Sequence, residues 1–321
     1  MLYTILKIPA KWALYLYCRS IKINHKEFLN ADGPLLIAAN HPNSFLDAII
    51  LASLFKKPIY SLARGDAFVN KTIATILHAL KMLPVYRISE GVENLESNYQ
   101  TFEACISIFK KNGIVLIFSE GKCINEWHLR ALKKGTARLA NSAWENDIPL
   151  RVLPLGINYH SFNSFGKNVI LDFGNYITKE NCYQNNSFGK NVGDFNTALQ
   201  NQLSDLVFEI DKKDTKKLID TFEIPISGFN KMLLTIPAVL GYILHFPLYY
   251  PIKKIVRKQT ISNDHFDSII VGLLFILYPI YVLIICGIAQ FIFKTGLVWL
   301  GIIILPLLGW SYIQRKPAYK K

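Results

Sequence analysis

The chain has 321 residues, of which 51% are hydrophobic and 18% are charged, whereas soluble domains average about 45 to 50% and about 25%. This composition excludes an intrinsically disordered chain, because the apolar residues suffice to build a core. The net charge of +13, from 36 basic and 23 acidic residues, suits either nucleic acid or an anionic membrane surface, so the placement of the basic residues has to decide between them.

Residues 1–20 predict an interfacial amphipathic helix. Aliphatic and aromatic side chains surround Lys7 and Lys11, whose long stems allow the ammonium groups to reach lipid headgroups. No long apolar run ends in a cleavage site of small residues, so we do not expect a signal peptide. A helix that packs on a soluble domain is the alternative.

Residues 21–228 predict an α/β domain with a mostly parallel sheet and helical crossovers, because short apolar runs alternate with longer mixed segments. The expected strands are 35–39, 59–63, 83–86, 114–118, 151–158 and 169–173, and the expected helices are 45–54, 70–80, 95–111 and 133–145. The hexapeptide Ser-Phe-Gly-Lys-Asn-Val occurs at 164–169 and again at 187–192, but two short copies do not indicate a repeat architecture.

Residues 229–321 predict a membrane domain. The uncharged stretches 232–252, 268–293 and 295–314 are each long enough to span about 30 Å of hydrocarbon. The last two predict a transmembrane hairpin that turns at Lys294. Three prolines interrupt the first stretch, which favours a re-entrant or interfacial segment over a span. Basic residues at 253–258 and after 314 flank the hairpin on one side, and this side is predicted to be cytoplasmic.

The five cysteines are widely spaced and form no Cys-x-x-Cys pair, so we expect reduced thiols, no metal site and no bound cofactor.

The best candidates for chemistry follow the first predicted strand of the α/β domain, at its carboxyl end, where ligand sites of α/β sheets gather. His41 lies before a proline, and Asp47 lies six residues later. The two side chains can meet only if His41 is in the turn and Asp47 is in the following helix. His41 would then remove a proton from a hydroxyl while Asp47 fixes its tautomer. An unrelated turn histidine and helix aspartate are the alternative.

Four later segments add weaker signals, each of which also has a purely structural interpretation. Arg87 ends a short strand and has the geometry to bind phosphate. A second strand runs into a Glu-Gly pair, where glycine allows close approach of a ligand. Two lysines precede a predicted helix start, and an apolar strand carries two prolines. The residues concerned are Arg87, Glu120, Gly121, Lys133, Lys134, Pro149 and Pro154.

In this order, the segments resemble the glycerolipid acyltransferase family over about residues 20 to 180. The matching residues are Asn40, His41 and Asp47 for the first family block, Arg87 for the second, Phe118, Glu120 and Gly121 for the third, and Pro154 for the fourth. Ser119 replaces the usual proline of the third block, and Lys122 also departs from the family pattern. Five residues separate His41 from Asp47 instead of the usual four, as in a subset of the family.

The resemblance implies a membrane-bound O-acyltransferase that moves an acyl chain from acyl-CoA or acyl-carrier protein to a glycerol phosphate hydroxyl, with His41 as general base and Asp47 as its partner. It further implies that the acceptor meets Asn40, Arg87, Glu120 and Gly121, with Lys133 and Lys134 as additional phosphate ligands. The acceptor would be glycerol 3-phosphate, 1-acylglycerol 3-phosphate or another lysolipid.

Two other classes of function are less well supported by the sequence. A lipid hydrolase would need a Gly-x-Ser-x-Gly elbow, and the chain has none. A non-catalytic binding protein is the second alternative. The basic residues lie beside apolar stretches rather than among interleaved aromatic residues, which favours lipid headgroups and argues against nucleic acid.

Overall fold

The computed structural model describes residues 1–86, 95–182, 187–261 and 263–316. Its centre is a seven-stranded sheet in the order β1-β7-β6-β2-β5-β3-β4. Neighbouring strands are parallel except β6 and β7, which are antiparallel. The predicted mostly parallel α/β sheet is thus confirmed. The strands are β1 (Cys18–Ile23), β2 (Leu35–Ala39), β3 (Ile59–Arg64), β4 (Met82–Val85), β5 (Ile114–Phe118), β6 (Arg151–Tyr159) and β7 (Lys167–Phe173).

Helices connect the strands and cover both faces of the sheet. They are α1 (Leu2–Tyr17), α2 (Phe45–Leu54), α3 (Lys71–Ala79), α4 (Leu95–Lys110), α5 (Gly135–Glu145), α6 (Lys179–Cys182), α7 (Phe188–Leu206), α8 (Thr215–Phe222), α9 (Gly228–Gln259), α10 (Phe266–Phe293) and α11 (Gly301–Arg315). The sequence did not indicate β1, α7 or α8. The predicted N-terminal helix is too long by three residues, because the chain turns at Cys18 into an edge strand that pairs with β7.

Strand β2 is central and completely buried, and its alternating side chains divide the core into two layers. Leu35, Ile37 and Ala39 point to one layer, which also contains residues of α1, α2, α9 and α10. Leu36 and Ala38 point to the other layer, which is covered by α4, α5 and α7. The apolar helices therefore lie on the same side of the sheet as α2, the helix that follows β2.

Three helices of the described chain are long and apolar enough to cross a membrane, Gly228–Gln259, Phe266–Phe293 and Gly296–Arg315, and they associate the protein with a membrane. Helix α10 starts on the α/β domain, where Phe266 and Ile270 are buried in its core. Helix α11 ends on the same domain, where Lys316 Nζ donates to the Phe165 carbonyl at 2.7 Å. Lys294, at the end of α10, lies between the two helices, as the predicted hairpin requires.

Stretch 232–252 was expected to be re-entrant or interfacial. Helix α9 is continuous through Pro237, Pro247 and Pro251 and contains no re-entrant turn. Both of its ends lie beside the α/β domain. Near the start, Leu233 lines a cavity together with Arg19 of β1. Towards the end, α9 enters the main core of the domain through two buried residues, Ile252 and Val256.

Candidate active site

The turn between β2 and α2 places the first two candidates. Strand β2 ends at Ala39 and α2 begins at Phe45, so His41 lies in the turn and Asp47 lies in the first turn of the helix. This is the arrangement that the six-residue spacing requires. Ser44, the residue before the helix, has a left-handed backbone with φ of 52°, which is strained for a residue with a side chain.

His41 and Asp47 are in direct contact. His41 Nδ1 lies 2.9 Å from Asp47 Oδ2, and the Asp47 side chain is fully buried whereas that of His41 is 19% exposed. Asp47 also accepts the Asn43 backbone N–H at 2.9 Å and the Tyr159 hydroxyl at 2.7 Å. Because the carboxylate accepts at Nδ1, the proton of neutral His41 is held there, and Nε2 is the nitrogen that can take a proton from a substrate.

Further contacts of His41 come from the end of β5 and the residues that follow it. Its ring stacks on Phe118, with centroids 3.8 Å apart and planes 13° apart. Glu120 Oε2 accepts the His41 backbone N–H at 2.7 Å, while Glu120 Oε1 accepts the Arg130 backbone N–H at 2.9 Å. Burial raises the pKa of Glu120, and these two hydrogen bonds oppose part of that rise. Glu120 therefore holds the backbone of the turn and of the loop near Arg130.

Three further predicted residues, Gly121, Lys133 and Lys134, lie at the same end of the sheet. Gly121 has φ of +66°, and a Cβ added there would lie 3.0 Å from Lys133 Cγ. The Lys133 backbone N–H donates to the Ser119 carbonyl at 2.7 Å. Lys133 and Lys134 are both exposed and precede α5, whose amino end favours anions. The structure thus brings His41, Glu120, Gly121 and the two lysines to one end of the sheet.

Asn40 and Arg87 are the other two residues predicted to bind the acceptor. Asn40 donates from Nδ2 to the Ile157 carbonyl at 3.1 Å, and its Oδ1 accepts the Ile157 N–H at 2.7 Å. Both polar atoms of this buried side chain therefore tie β2 to β6, which favours a structural role over the predicted contact with substrate. Arg87 lies outside the described residues.

Several residues of the site were missed in the sequence. Tyr159, which binds Asp47, ends β6 and lies at the same edge of the sheet, so the rule for strand ends would have found it. No comparable signal marks Asp267, the second residue of α10. This residue accepts from Asn43 Nδ2 at 2.7 Å and from the Tyr17 hydroxyl at 2.5 Å, and it forms a buried ion pair with Lys167.

All five cysteines are unpaired thiols. Among the described residues, no group of three or more His, Cys, Asp or Glu side chains is placed to hold a metal ion.

Comparison with known proteins identifies the domain that carries this site. Residues 20–158 match the family model described as Acyltransferase. Curated protein sequences give no match. The crystal structure of the 1-acyl-sn-glycerophosphate (LPA) acyltransferase PlsC from Thermotoga maritima is similar to this chain over 63% of its length and over 80% of that chain, at 12% identity and a TM-score of 0.41. Because this structural similarity is weak, the assignment depends on the match of residues 20–158. Residues 20–158 therefore form an acyltransferase domain.

Proposed function

We propose that the protein is a membrane-bound O-acyltransferase of phospholipid synthesis. It transfers a fatty acyl chain from acyl-CoA or acyl-carrier protein to a hydroxyl of glycerol 3-phosphate or 1-acylglycerol 3-phosphate. The observation that carries the proposal is the 2.9 Å contact between His41 Nδ1 and Asp47 Oδ2, located in an acyltransferase domain and beside the first turn of α10.

In the proposed reaction, the acceptor hydroxyl oxygen attacks the carbonyl carbon of the acyl thioester while His41 Nε2 takes the hydroxyl proton. The tetrahedral intermediate then expels the thiolate, which recovers the proton from the imidazolium. Asp47 stabilises the imidazolium and is itself held by the Asn43 N–H and the Tyr159 hydroxyl. General base catalysis of this kind contributes about 10² to 10⁴ in rate.

The acceptor phosphate would be bound by cations near the turn. Lys133 and Lys134 are exposed at the amino end of α5, and Lys133 lies next to Gly121. A phosphate placed there would meet two ammonium groups and the positive end of a helix dipole. Arg87 stays a proposed further ligand. Glu120 is engaged by two backbone N–H groups, so we assign it to the support of the turn.

The acyl chain would enter from the bilayer. Helix α1 exposes an apolar stripe of four residues at helical spacing, which suits the membrane interface. The stripe consists of Ile5, Ile8, Trp12 and Tyr15, which are between 48% and 68% exposed. Helix α9 would also lie in the interface, because its start borders a cavity that β1 also lines and its end is buried in the core of the domain. A span would place these two ends on opposite sides of the membrane. Helices α10 and α11 would then form the transmembrane hairpin.

The orientation follows from the ends of the hairpin. Asp267 and Lys316 both contact the catalytic domain, and the basic residues at 253–258 precede α10, so the positive-inside rule supports a cytoplasmic catalytic domain. A membrane-impermeant thiol reagent tests this placement. Lys294→Cys should be labelled in intact cells, whereas Asn230→Cys and Lys258→Cys should both require permeabilisation. Labelling of Asn230→Cys in intact cells would contradict an interfacial α9.

The activity is tested by following a labelled acyl chain from acyl-CoA or acyl-carrier protein in membranes that contain the wild-type protein, His41→Ala or His25→Ala. His25 is an exposed histidine paired with Glu27 and serves as the matched control. Glycerol 3-phosphate, 1-acylglycerol 3-phosphate and a lysolipid without a free phosphate are offered separately. We expect product with one phosphate-bearing acceptor, lost only in His41→Ala. Undiminished product in His41→Ala would refute the assignment of the base, and product with the third acceptor alone would indicate a remodelling acyltransferase.

A further inference from the structure

The first turn of α10 lies directly against the catalytic turn, residues 41–47. The two segments are more than 200 residues apart in the sequence. Three residues of the turn nevertheless contact side chains of α10 or of its N-cap residue. Ser44 Oγ lies 2.8 Å from His265 Nδ1, Asn43 Nδ2 donates to Asp267 Oδ2 at 2.7 Å, and the Leu46 N–H donates to Ser268 Oγ at 3.3 Å.

The centre of this contact is a buried carboxylate. Asp267 and its ion-pair partner Lys167 have no exposed side-chain surface. Besides this lysine, Asp267 accepts from the Tyr17 hydroxyl and from the Asn43 amide. Burying two charges is costly unless their hydrogen bonds are satisfied, and hydrogen bonds to an ionised carboxylate are the strong class. Asn43 is thus held by a fixed negative charge in the core.

Asn43 connects this charge to the catalytic pair. Its side chain donates to Asp267, while its backbone N–H donates to Asp47 Oδ2 at 2.9 Å. The same carboxylate oxygen of Asp47 contacts His41. The strained backbone of the next residue, Ser44, also needs surrounding contacts to maintain it. A displacement of the Asn43 side chain would therefore move the donor that aligns Asp47 with the imidazole.

We propose that Asp267 is a positioning residue supplied by the apolar hairpin. Through Asn43, it fixes the turn that holds Asp47 against His41, so that the catalytic pair is aligned only when α10 is seated on the domain. This inference rests on the proposed function, in which His41 is the base. The competing explanation is that Asp267 serves only as the counterion of Lys167 and has no influence on the turn.

Two variants separate these explanations. Lys167→Met/Asp267→Leu replaces the ion pair by apolar side chains, a change that is often neutral or stabilising for the fold, and it removes the acceptor of Asn43. Asn43→Ala cuts the same link but leaves Asp267 bonded to Lys167 and Tyr17. The matched control is Lys57→Met/Asp32→Leu, which removes an exposed ion pair of 2.7 Å. His41→Ala is measured in parallel.

For each full-length variant, kcat, the KM values for both substrates and the midpoint of thermal unfolding are measured in detergent. We expect kcat to fall at least tenfold in both test variants, with KM values within threefold of wild type and an unfolding midpoint within a few degrees. The control should retain wild-type kcat.

A kcat within threefold of wild type in the apolar pair variant would overturn the proposal, because a counterion alone is dispensable once its lysine is gone. A kcat within threefold of wild type in Asn43→Ala would also overturn the proposal. If Lys167→Met/Asp267→Leu does not fold, the kcat of Asn43→Ala alone tests the proposal. Activity retained in His41→Ala would instead refute the proposed function, so the two failures are distinguishable.

Discussion

The hydroxyl of Tyr159 offers a sharp test of how the site is supported. Tyr159→Phe removes a single oxygen atom, which donates to Asp47 Oδ1 at 2.7 Å in a fully buried position. The ring remains and retains its neighbours, including Phe162 at 6.0 Å between centroids. The substitution therefore isolates one hydrogen bond to an ionised carboxylate, leaving that oxygen of Asp47 without its donor.

A hydrogen bond to a charged group contributes about 1.5 to 3 kcal/mol. A loss of about 2 kcal/mol would lower the unfolding midpoint by about 3 °C in a chain of this size. If the whole loss fell on the transition state, kcat would drop about 30-fold. We expect a smaller decrease, about three- to tenfold, because Asp47 retains its bonds to His41 and to the Asn43 N–H.

The assay follows kcat for acyl transfer and thermal unfolding in detergent, with Tyr99→Phe as the control. Tyr99 is 73% exposed on α4, so its hydroxyl should contribute nothing to either quantity. Wild-type values of both kcat and the unfolding midpoint in Tyr159→Phe would refute the view that Asp47 depends on this donor. A loss of kcat equal to that of His41→Ala would show that Tyr159 itself takes part in the reaction.

Three other predictions concern the neighbourhood of the turn and the buried thiols. Glu120→Gln replaces a carboxylate that accepts two backbone N–H groups by an amide with one acceptor oxygen. It should therefore lower the free energy of unfolding by about 1 to 3 kcal/mol in chemical denaturation. An unchanged free energy of unfolding would contradict the supporting role of Glu120. Gly121→Ala forces a side chain into φ of +66° and should cost about 1 to 2 kcal/mol by the same measurement, whereas Gly135→Ala, which meets no atom within 4 Å, should not destabilise. Burial raises the pKa values of Cys18 and Cys105 to about 12, so about one thiol in 10⁴ is ionised at pH 8. Iodoacetamide should therefore modify these two thiols only after unfolding. Modification of either thiol in the native protein, detected by mass spectrometry, would contradict this prediction.

The contact between His41 and Asp47 was predictable because its signals are local. A buried strand, the proline at 42 and the start of an apolar helix fix where His41 and Asp47 lie, and a spacing of six residues then permits only one way for them to meet. Similar local patterns located six of the seven strands. The edge strand β1 was not predicted, because its six residues follow a predicted amphipathic helix without a glycine or proline between them.

The support of the pair was not predictable, as the repeated hexapeptide demonstrates. Its first copy leads into β7 and buries Lys167 completely, whereas its second copy begins α7 and leaves Lys190 exposed. Identical neighbours therefore give different structures, because burial and pairing with the rest of the chain override local preference. Asp267 presents the same difficulty, since its partner Asn43 is 224 residues away and no periodic pattern connects them.

The separation of Asn43 and Asp267 also has a consequence for how the protein is made. The catalytic turn leaves the ribosome long before α10 does, so a nascent chain contains His41 and Asp47 but not the carboxylate that steadies the turn. Under the proposed function and orientation, the enzyme matures when the hairpin enters the bilayer and the start of α10 docks on the domain. Chains that stall before residue 266 would remain inactive, and acyl thioesters would be consumed only where the lipid product can be retained.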